Sequence, residues 1–244
     1  MTTAPSFSDL IRSRRSVRDF LPTPIPAALL QSVLADANQS PSWSNTQPYR
    51  IAVASGAVRD RLAAQLTERF ELGIKAQRRG WLGKLQLLTR QRHVLPDGDF
   101  ETNFAYPEDL QPQRRATGHG LYELLGIGRK DHAARETQMR RNFEFFGAPA
   151  AIFIFVHRGL REFSVLDAGI FMQSLMLSAH AHGLGTCAQG ALATWAGPVR
   201  QAFDVPMYYK LIGGVSVGYA SAHAINQYNP GRAKAADIML AENH

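Results

Sequence analysis

Apolar positions along the chain change period several times, and each change marks an element. Phe7, Leu10 and Ile11 follow a Ser6–Asp9 pair that has the form of a capping box, which predicts a short first helix ending near the arginines of "RSRRSVRDF". "LPTPIP" then forces extended chain, because proline fixes its own φ and disfavours helix just before it. Pro26 suits the first helical position, and Leu29, Leu30, Val33, Leu34 and Ala37 recur on one face of a second helix. After the polar loop "SPSWSNTQP", "YRIAVAS" reads as a strand, and residues 57–79 return to helical spacing. The segment 80–117 fits neither period and predicts a lid or an excursion from the fold.

Helical spacing resumes over 118–145. "PAAIFIFVH" is an uninterrupted apolar run, the pattern of a strand covered on both faces. Residues 165–182 predict a helix that is apolar all round and therefore needs burial on every side. Phe171, Met172, Leu175 and Met176 are too many for one face of a monomer, so part of this helix is expected in a twofold contact. "GLGTCAQG" predicts a glycine-bearing loop, Pro198–Phe203 a short helix, "YYKLIGGVSVGY" a last strand, and 220–244 a polar tail. There is no internal repeat and no low-complexity linker, so one α+β domain over residues 1–244 is the expectation.

Composition adds bounds. Hydrophobic residues make up 45% and charged residues 19%, the balance of a folded globular protein. A net charge of +7 favours anionic partners, nucleic acid or a phosphorylated cofactor among them. The single cysteine, Cys187, excludes an intramolecular disulfide, and "MTTAPSFSDL" lacks a signal peptide's apolar stretch. A cytoplasmic protein with no membrane partner is expected.

Several chemistries lack their patterns. His180 and His182, two apart on a predicted helix, point to different faces, and there is no HExxH or paired CxxC, so no metal is expected. "GVSVG" at 214–218 matches a nucleophile elbow, but only Asp237, Glu242, His223 and His244 follow in a short tail, with no strands to carry a triad. Neither a phosphate-binding P-loop nor a complete G-x-G-x-x-G is present, so a dinucleotide fold is unsupported. A nucleic-acid-binding module is disfavoured, because basic residues over 59–141 are interleaved with acids and no recognition motif appears.

One constellation does carry chemistry. Arg14, Arg15 and Arg18 bracket Ser16, and guanidinium forks are the side chains best matched to a phosphate. "PSWSNTQP" offers Ser42, Asn45 and Gln47, whose groups suit the mixed edges of a planar heterocycle. "GTCAQGA" offers backbone amides flanked by small side chains, and "NQYNPGR" brings in Arg232. Taken in this order, with "FEFFGAPAAIFIFV" and "DAGIFMQSLMLSAHAHGLGTCAQG" between them, these segments resemble the nitroreductase family of flavoproteins. The resemblance covers most of the chain except about residues 60–130, with a variable excursion at about 80–130.

The resemblance implies an α+β fold built on a central mixed, mainly antiparallel sheet flanked by helices, in a homodimer. It implies non-covalent FMN at the dimer interface, shaped by both subunits, with NAD(P)H as electron donor. The cofactor-binding positions it implies are Arg14, Arg15, Ser16 and Arg18; Pro41, Ser42, Asn45 and Gln47; Ala188, Gln189 and Gly190; and Arg232. Some members carry Pro and Glu where this chain has Ala188 and Gln189, which bears on the branch of the family. Arg14 and Arg232 are expected to hold the phosphate, and Arg18, supported by Asn45, the edge of the flavin pyrimidine that gains negative charge on reduction. A backbone N–H near Gln189 or Gly190 would position the flavin nitrogen that accepts hydride.

Trp43, Tyr122 and Phe146 are expected pocket walls, and no protein side chain is assigned a catalytic role. The expected activity is hydride transfer from NAD(P)H to an electron-poor acceptor, a nitroaromatic, quinone or similar, with one site used twice in a ping-pong cycle. The same fold also accommodates reductive dehalogenation, flavin breakdown or oxidation of a heterocycle.

Overall fold

The structure, a computed structural model, describes residues 6–242; residues 1–5 and 243–244 lie outside the described residues. Ser6 caps α1 (Phe7–Ser13) by accepting the Asp9 amide at 3.2 Å, as its sequence signature predicts. None of α1 is buried in its own chain, and Phe7 stands 69% exposed, so the apolar stripe faces outward. The second helix, α2 (Ala27–Ala37), begins one residue later than expected, with Pro26 at the cap rather than inside.

The sheet is built from β1 (Tyr49–Ser55), β2 (Ala150–His157), β3 (Gly185–Gln189) and β4 (Tyr209–Gly218), in the spatial order β1-β2-β4-β3. Every strand pair is antiparallel; a single parallel bridge, Ser16 to Thr186, adds the segment after α1 to the β3 edge and makes the sheet mixed. The expected loop at "GTCAQ" is thus a strand. It is short and opens on a glycine, and pairing with β4 on one side and residues 16–17 on the other fixes it.

β2 explains the two-layered cover. Alternate residues point to opposite faces, so Ala151, Phe153 and Phe155 enter one core and Ile152, Ile154 and Val156 the other. The first core is closed by α3 (Gly56–Arg78) and α8 (Ala196–Ala202), the second by α2 and α7 (Arg161–Ala181). α7 mixes apolar residues with polar ones such as Glu162, Asp167 and Gln173, and is only partly buried. Phe171 and Leu175 lie inside the chain and Met172 and Met176 pack against the same core, so these four are not the free face that was expected. The outward stripe is Phe163, Leu166, Ile170 and Leu177, with Phe163 45% and Leu166 58% exposed.

The region that resisted sequence reading is largely helical. α4 (Gly80–Arg90) packs on α3, then extended chain over 95–107 leads to α5 (Gln111–Leu124) and α6 (His132–Arg140). The predicted helical stretch over 118–145 is broken between them at 125–131. A last short helix, α9 (Ala235–Ile238), lies in the tail.

Candidate functional site

Residues 14–18 leave α1 as extended chain and lie along β3, where the Val17 amide donates to Thr186 O at 2.9 Å. The approach is close: a Cβ on Gly185 would stand 2.6 Å from Val17 Cγ2, so glycine is required there. The tail fastens the same segment from the other side. Asn226, buried at 5% exposure, accepts the Arg18 amide (2.8 Å) and the Asp19 amide (3.2 Å) and donates to Asp19 O and Ser221 O. Arg15 donates to Gln227 Oε1 at 3.3 Å.

This pinning gathers cations. Burial, and then the charge of neighbouring Arg232, hold the Arg14 guanidinium below its usual range. None of the ion pairs among the described residues involves Arg14, Arg15, Arg18 or Arg232. Arg232 is exposed and donates only to its own neighbours' carbonyls, Pro230 O and Gly231 O. Uncompensated arginines of this kind are mutually repulsive until an anion joins them. Arg14 and Arg15 line a cavity of about 440 Å³ together with Ser13, His180, Thr186 and Asn226. Arg18 lines a separate one of about 200 Å³ with Tyr122, Asn142 and Phe146.

His180 belongs to this group although sequence reasoning weighed it only as a metal ligand. Its Nε2 lies 2.8 Å from Ser13 Oγ, whereas His182 turns toward Asp36. Burial, then Arg14 and Arg15, hold His180 below the usual histidine range. The unfolded chain therefore binds the proton first as pH falls below about 6.5, so the ligand-free protein loses stability as pH drops toward the depressed folded value. Its melting temperature is expected to fall between pH 7 and pH 5, and less so in His180→Asn; an unchanged slope in that variant would contradict the assignment. Cys187 is no nucleophile here, since burial pushes its thiol up to about 11 against the pull of Arg18 and Arg14.

β3 sets the next set of groups. Along it, exposure alternates: Ala188 and Gly190 are open, and Gln189 is buried. Gln189 Nε2 donates to Asn142 O at 2.9 Å, and its Oε1 accepts from Ser216 Oγ, so its side chain serves the interior. Because Thr186 O already faces the edge strand, strand alternation turns the backbone of Ala188 to that edge and that of Gln189 toward β4. Of the expected amide donors, the one at Gln189 is therefore committed to the sheet. Ser216, fully buried in the middle of β4, is a strand residue and not a nucleophile on an elbow.

Beyond Gly190 opens a cleft of about 1240 Å³, whose lining includes Phe70, Phe104, Tyr106, Phe143 and Ile212. The extended segment 96–106 forms one wall, which gives the variable excursion a place in the site. Asn142 and Met139 line both this cleft and the smaller cavity at Arg18. Of the expected pocket walls, Tyr122 and Phe146 meet beside Arg18, although Phe146 is a core residue at 3% exposure that only edges the cavity.

Trp43 does not join them. Its amide donates to buried Asp167 at 3.0 Å, and its ring packs on Phe163 with centroids 4.4 Å apart, at the N-terminal end of α7. The whole 41–47 loop sits there, with Ser42 Oγ accepting the Gln47 amide and Gln47 Nε2 donating to Asn45 Oδ1. Ser44, Asn45 and Gln47 all have positive φ, between 43° and 55°, a conformation that costs roughly 1–3 kcal/mol each. His180, beside Arg14, lies at the other end of α7, about 20 Å away at 1.5 Å per residue. One chain therefore brings Arg14–Arg18, β3, Arg232, Tyr122 and Phe146 together, and leaves Pro41, Ser42, Trp43, Asn45 and Gln47 remote from them.

Asn226, Asn142 and Ser13 were missed in the sequence, because they act by fastening backbone or neighbouring side chains. Only the return of the tail to the β3 edge reveals them.

With this geometry in hand, comparison with known proteins gives a consistent answer. The sequence model described as "Nitroreductase family" matches residues 11–219. A 4-nitrobenzoate reductase of Pseudomonas putida is 33% identical over 222 residues, which cover 89% of this chain and 87% of that one. Among solved structures, the FMN-dependent nitroreductase NfnB from Mycobacterium smegmatis in complex with NADPH is similar at a TM-score of 0.81 and 31% identity, over 97% of both chains. The FMN and NADPH-dependent nitroreductase NfnB from Sphigopyxis sp. strain HMH is similar at a TM-score of 0.83 and 26% identity, over 98% of this chain and 100% of that one.

Proposed function

The chain belongs to the nitroreductase family, and from that premise we propose that it is an FMN-dependent oxidoreductase moving hydride from NAD(P)H to an electron-poor acceptor, a nitroaromatic, quinone or similar. One observation carries the reading: Arg14 and Arg15 line one cavity with Arg232 near Arg14, Arg18 lines a second, and none of the four has a carboxylate partner among the described residues. A phosphate monoester, carrying roughly −1.5 to −2 charge and three acceptor oxygens, is the partner such a group fits. The names of the similar proteins, which speak of 4-nitrobenzoate, FMN and NADPH, support the same substrate and cofactor classes.

FMN, when bound, would supply the redox chemistry that carries electrons from the nicotinamide to the acceptor in a ping-pong cycle. The protein's part is to hold and bias it. Arg14 and Arg232 bind the phosphate, with Arg15 and Ser16 beside them. Arg18 supplies a cation that favours the reduced state. The open backbone of Ala188 and Gly190 supports the heterocycle, and Gln189 keeps that edge in shape from behind. Tyr122, with Phe146 behind it, and the 96–106 wall exclude water from the acceptor's space.

Pro41, Ser42, Asn45 and Gln47 complete the site from a second subunit. The separation along α7 supports this: in a twofold pair with α7 helices antiparallel, the 41–47 end of one chain meets the Arg14 end of the other. The outward stripe of Phe163, Leu166, Ile170 and Leu177 is the apolar face such a pair would bury. Trp43 then serves as a pocket wall for the partner's site. We treat residues 1–244 as one FMN-binding domain that works as a cytoplasmic homodimer; no helix among the described residues is long and apolar enough to cross a membrane.

Steady-state kinetics with NADPH and a nitrobenzoate test the cycle. Double-reciprocal plots at several acceptor concentrations should be parallel, as one site used twice requires. Converging lines would show both substrates bound together and would overturn it.

A further inference from the structure

Helix α4, which packs on α3, has a face with no partner among the described residues. Gly83 is pressed into α3 so closely that a Cβ there would meet Ala76 O at 2.0 Å, and Gln86 and Leu87 are turned the same way. On the opposite side, at the spacing of one helical stripe, stand Trp81, Leu85 and Leu88, exposed by 73%, 51% and 53%, with Leu82 beside them. The stretch from Leu72 to Pro96 contains no Asp or Glu but six basic residues: Lys75, Arg78, Arg79, Lys84, Arg90 and Arg92. All six are exposed, and only Arg78, to Glu136, is ion-paired among the described residues.

We propose that α4 is a docking helix for an anionic lipid surface, with Trp81, Leu85 and Leu88 entering the headgroup–acyl boundary and the basic residues meeting lipid phosphates. A tryptophan and leucines on one face and cations around them are what such a boundary takes up. Each cation near an anionic surface strengthens binding roughly fivefold. A second copy of this chain fits less well. The chain carries +7, and the face available for a twofold contact, on α7, closes the opposite layer of the sheet from α3 and α4. Nucleic acid would meet the cations but has no use for an apolar stripe. This is a peripheral contact, and it departs from the sequence-based expectation of no membrane partner.

Docking has a consequence for the site. α4 is joined through one short helical turn, Arg92–Val94, to the 96–106 segment that walls the large cleft, so the cleft mouth would lie near the lipid surface. Apolar aromatic acceptors that partition into the bilayer would then reach the cleft without crossing bulk water. This consequence, unlike the docking, rests on the flavoenzyme reading.

The test uses the full chain, sedimented with vesicles of phosphatidylcholine alone and with 30% phosphatidylglycerol. The expected result is binding to the anionic vesicles at least tenfold tighter than to the neutral ones, with quenching of tryptophan fluorescence by brominated acyl chains. Trp81→Ser with Leu85→Ser should lose the quenching and at least tenfold in binding while keeping the wild-type melting temperature. Lys84→Glu with Arg90→Glu should lose the preference for anionic lipid. No sedimentation, equal affinity for both vesicles, or unchanged binding by both variants would overturn the proposal. A lower oligomeric state in Trp81→Ser with Leu85→Ser would overturn it too, by assigning the face to a contact between copies. Binding of RNA in preference to vesicles would likewise overturn it. None of these readouts depends on activity, so failure of docking and failure of the enzymatic reading are separate results.

Discussion

Replacing Arg14 with alanine is expected to weaken FMN retention by about ten- to a hundredfold, and to leave the ligand-free protein no less stable than before. The two effects share one cause. A hydrogen bond to a charged group contributes about 1.5–3 kcal/mol, and this guanidinium has no other anionic partner among the described residues. Without a phosphate, however, Arg14 lies partly buried beside Arg232, and both effects hold its guanidinium below the usual range. Removing it deletes a repulsion as well as a ligand. Arg232→Ala should act the same way and more weakly, because that side chain is exposed. Titration of FMN by flavin fluorescence, beside thermal melting of the ligand-free variants, reads both halves. Unchanged FMN affinity in both variants would refute the phosphate assignment.

Leu166→Glu tests the other half of the site without touching any residue assigned to FMN. Leu166 is 58% exposed and sits in the outward stripe of α7, so a carboxylate there leaves the folded chain intact. In a twofold contact the same carboxylate would be taken out of water against the apolar α7 face of the second copy, a cost of several kcal/mol per ion. The variant should therefore be a folded monomer by light scattering, and should lose FMN because Asn45 and Gln47 no longer reach the Arg14 end of a partner's α7. A monomer that holds FMN as tightly as wild type would show that one chain suffices. Mixing Arg14→Ala with Asn45→Ala chains gives a sharper version, since random pairing restores about a quarter of the sites if each site draws on two subunits.

How much of this was legible in the sequence depends on what each residue does. β1, β2 and β4 were readable because their apolar runs are long enough to specify burial by themselves. β3 was not, since Gly185, Thr186 and Cys187 become a strand only by being pressed between β4 and Val17. α4 was hidden for a related reason. Gly80 and Gly83 weaken its helical pattern, and Gly83 is demanded by the backbone of Ala76. In the site, Arg14, Arg15, Arg18 and Arg232 declared themselves by residue type and clustering, although only the structure shows that Asp19, next to Arg18, pairs with Arg141 instead. Asn226, Asn142 and Ser13 did not, as their work is to tie other groups in place. The separation of Trp43 and Asn45 from Arg18 could not be read either, for it is set by the length of α7 and by Asp167 holding the Trp43 amide.

In the proposed assembly two chains together would hold two molecules of FMN, each between the Arg14 strap of one and the 41–47 loop of the other. Native mass spectrometry of the protein as purified in FMN tests it in a single measurement. The expected spectrum is a dimer carrying two FMN, which on gentle dissociation gives chains that have lost the cofactor. A monomer carrying FMN, or a dimer that takes up none from excess FMN, would contradict the account.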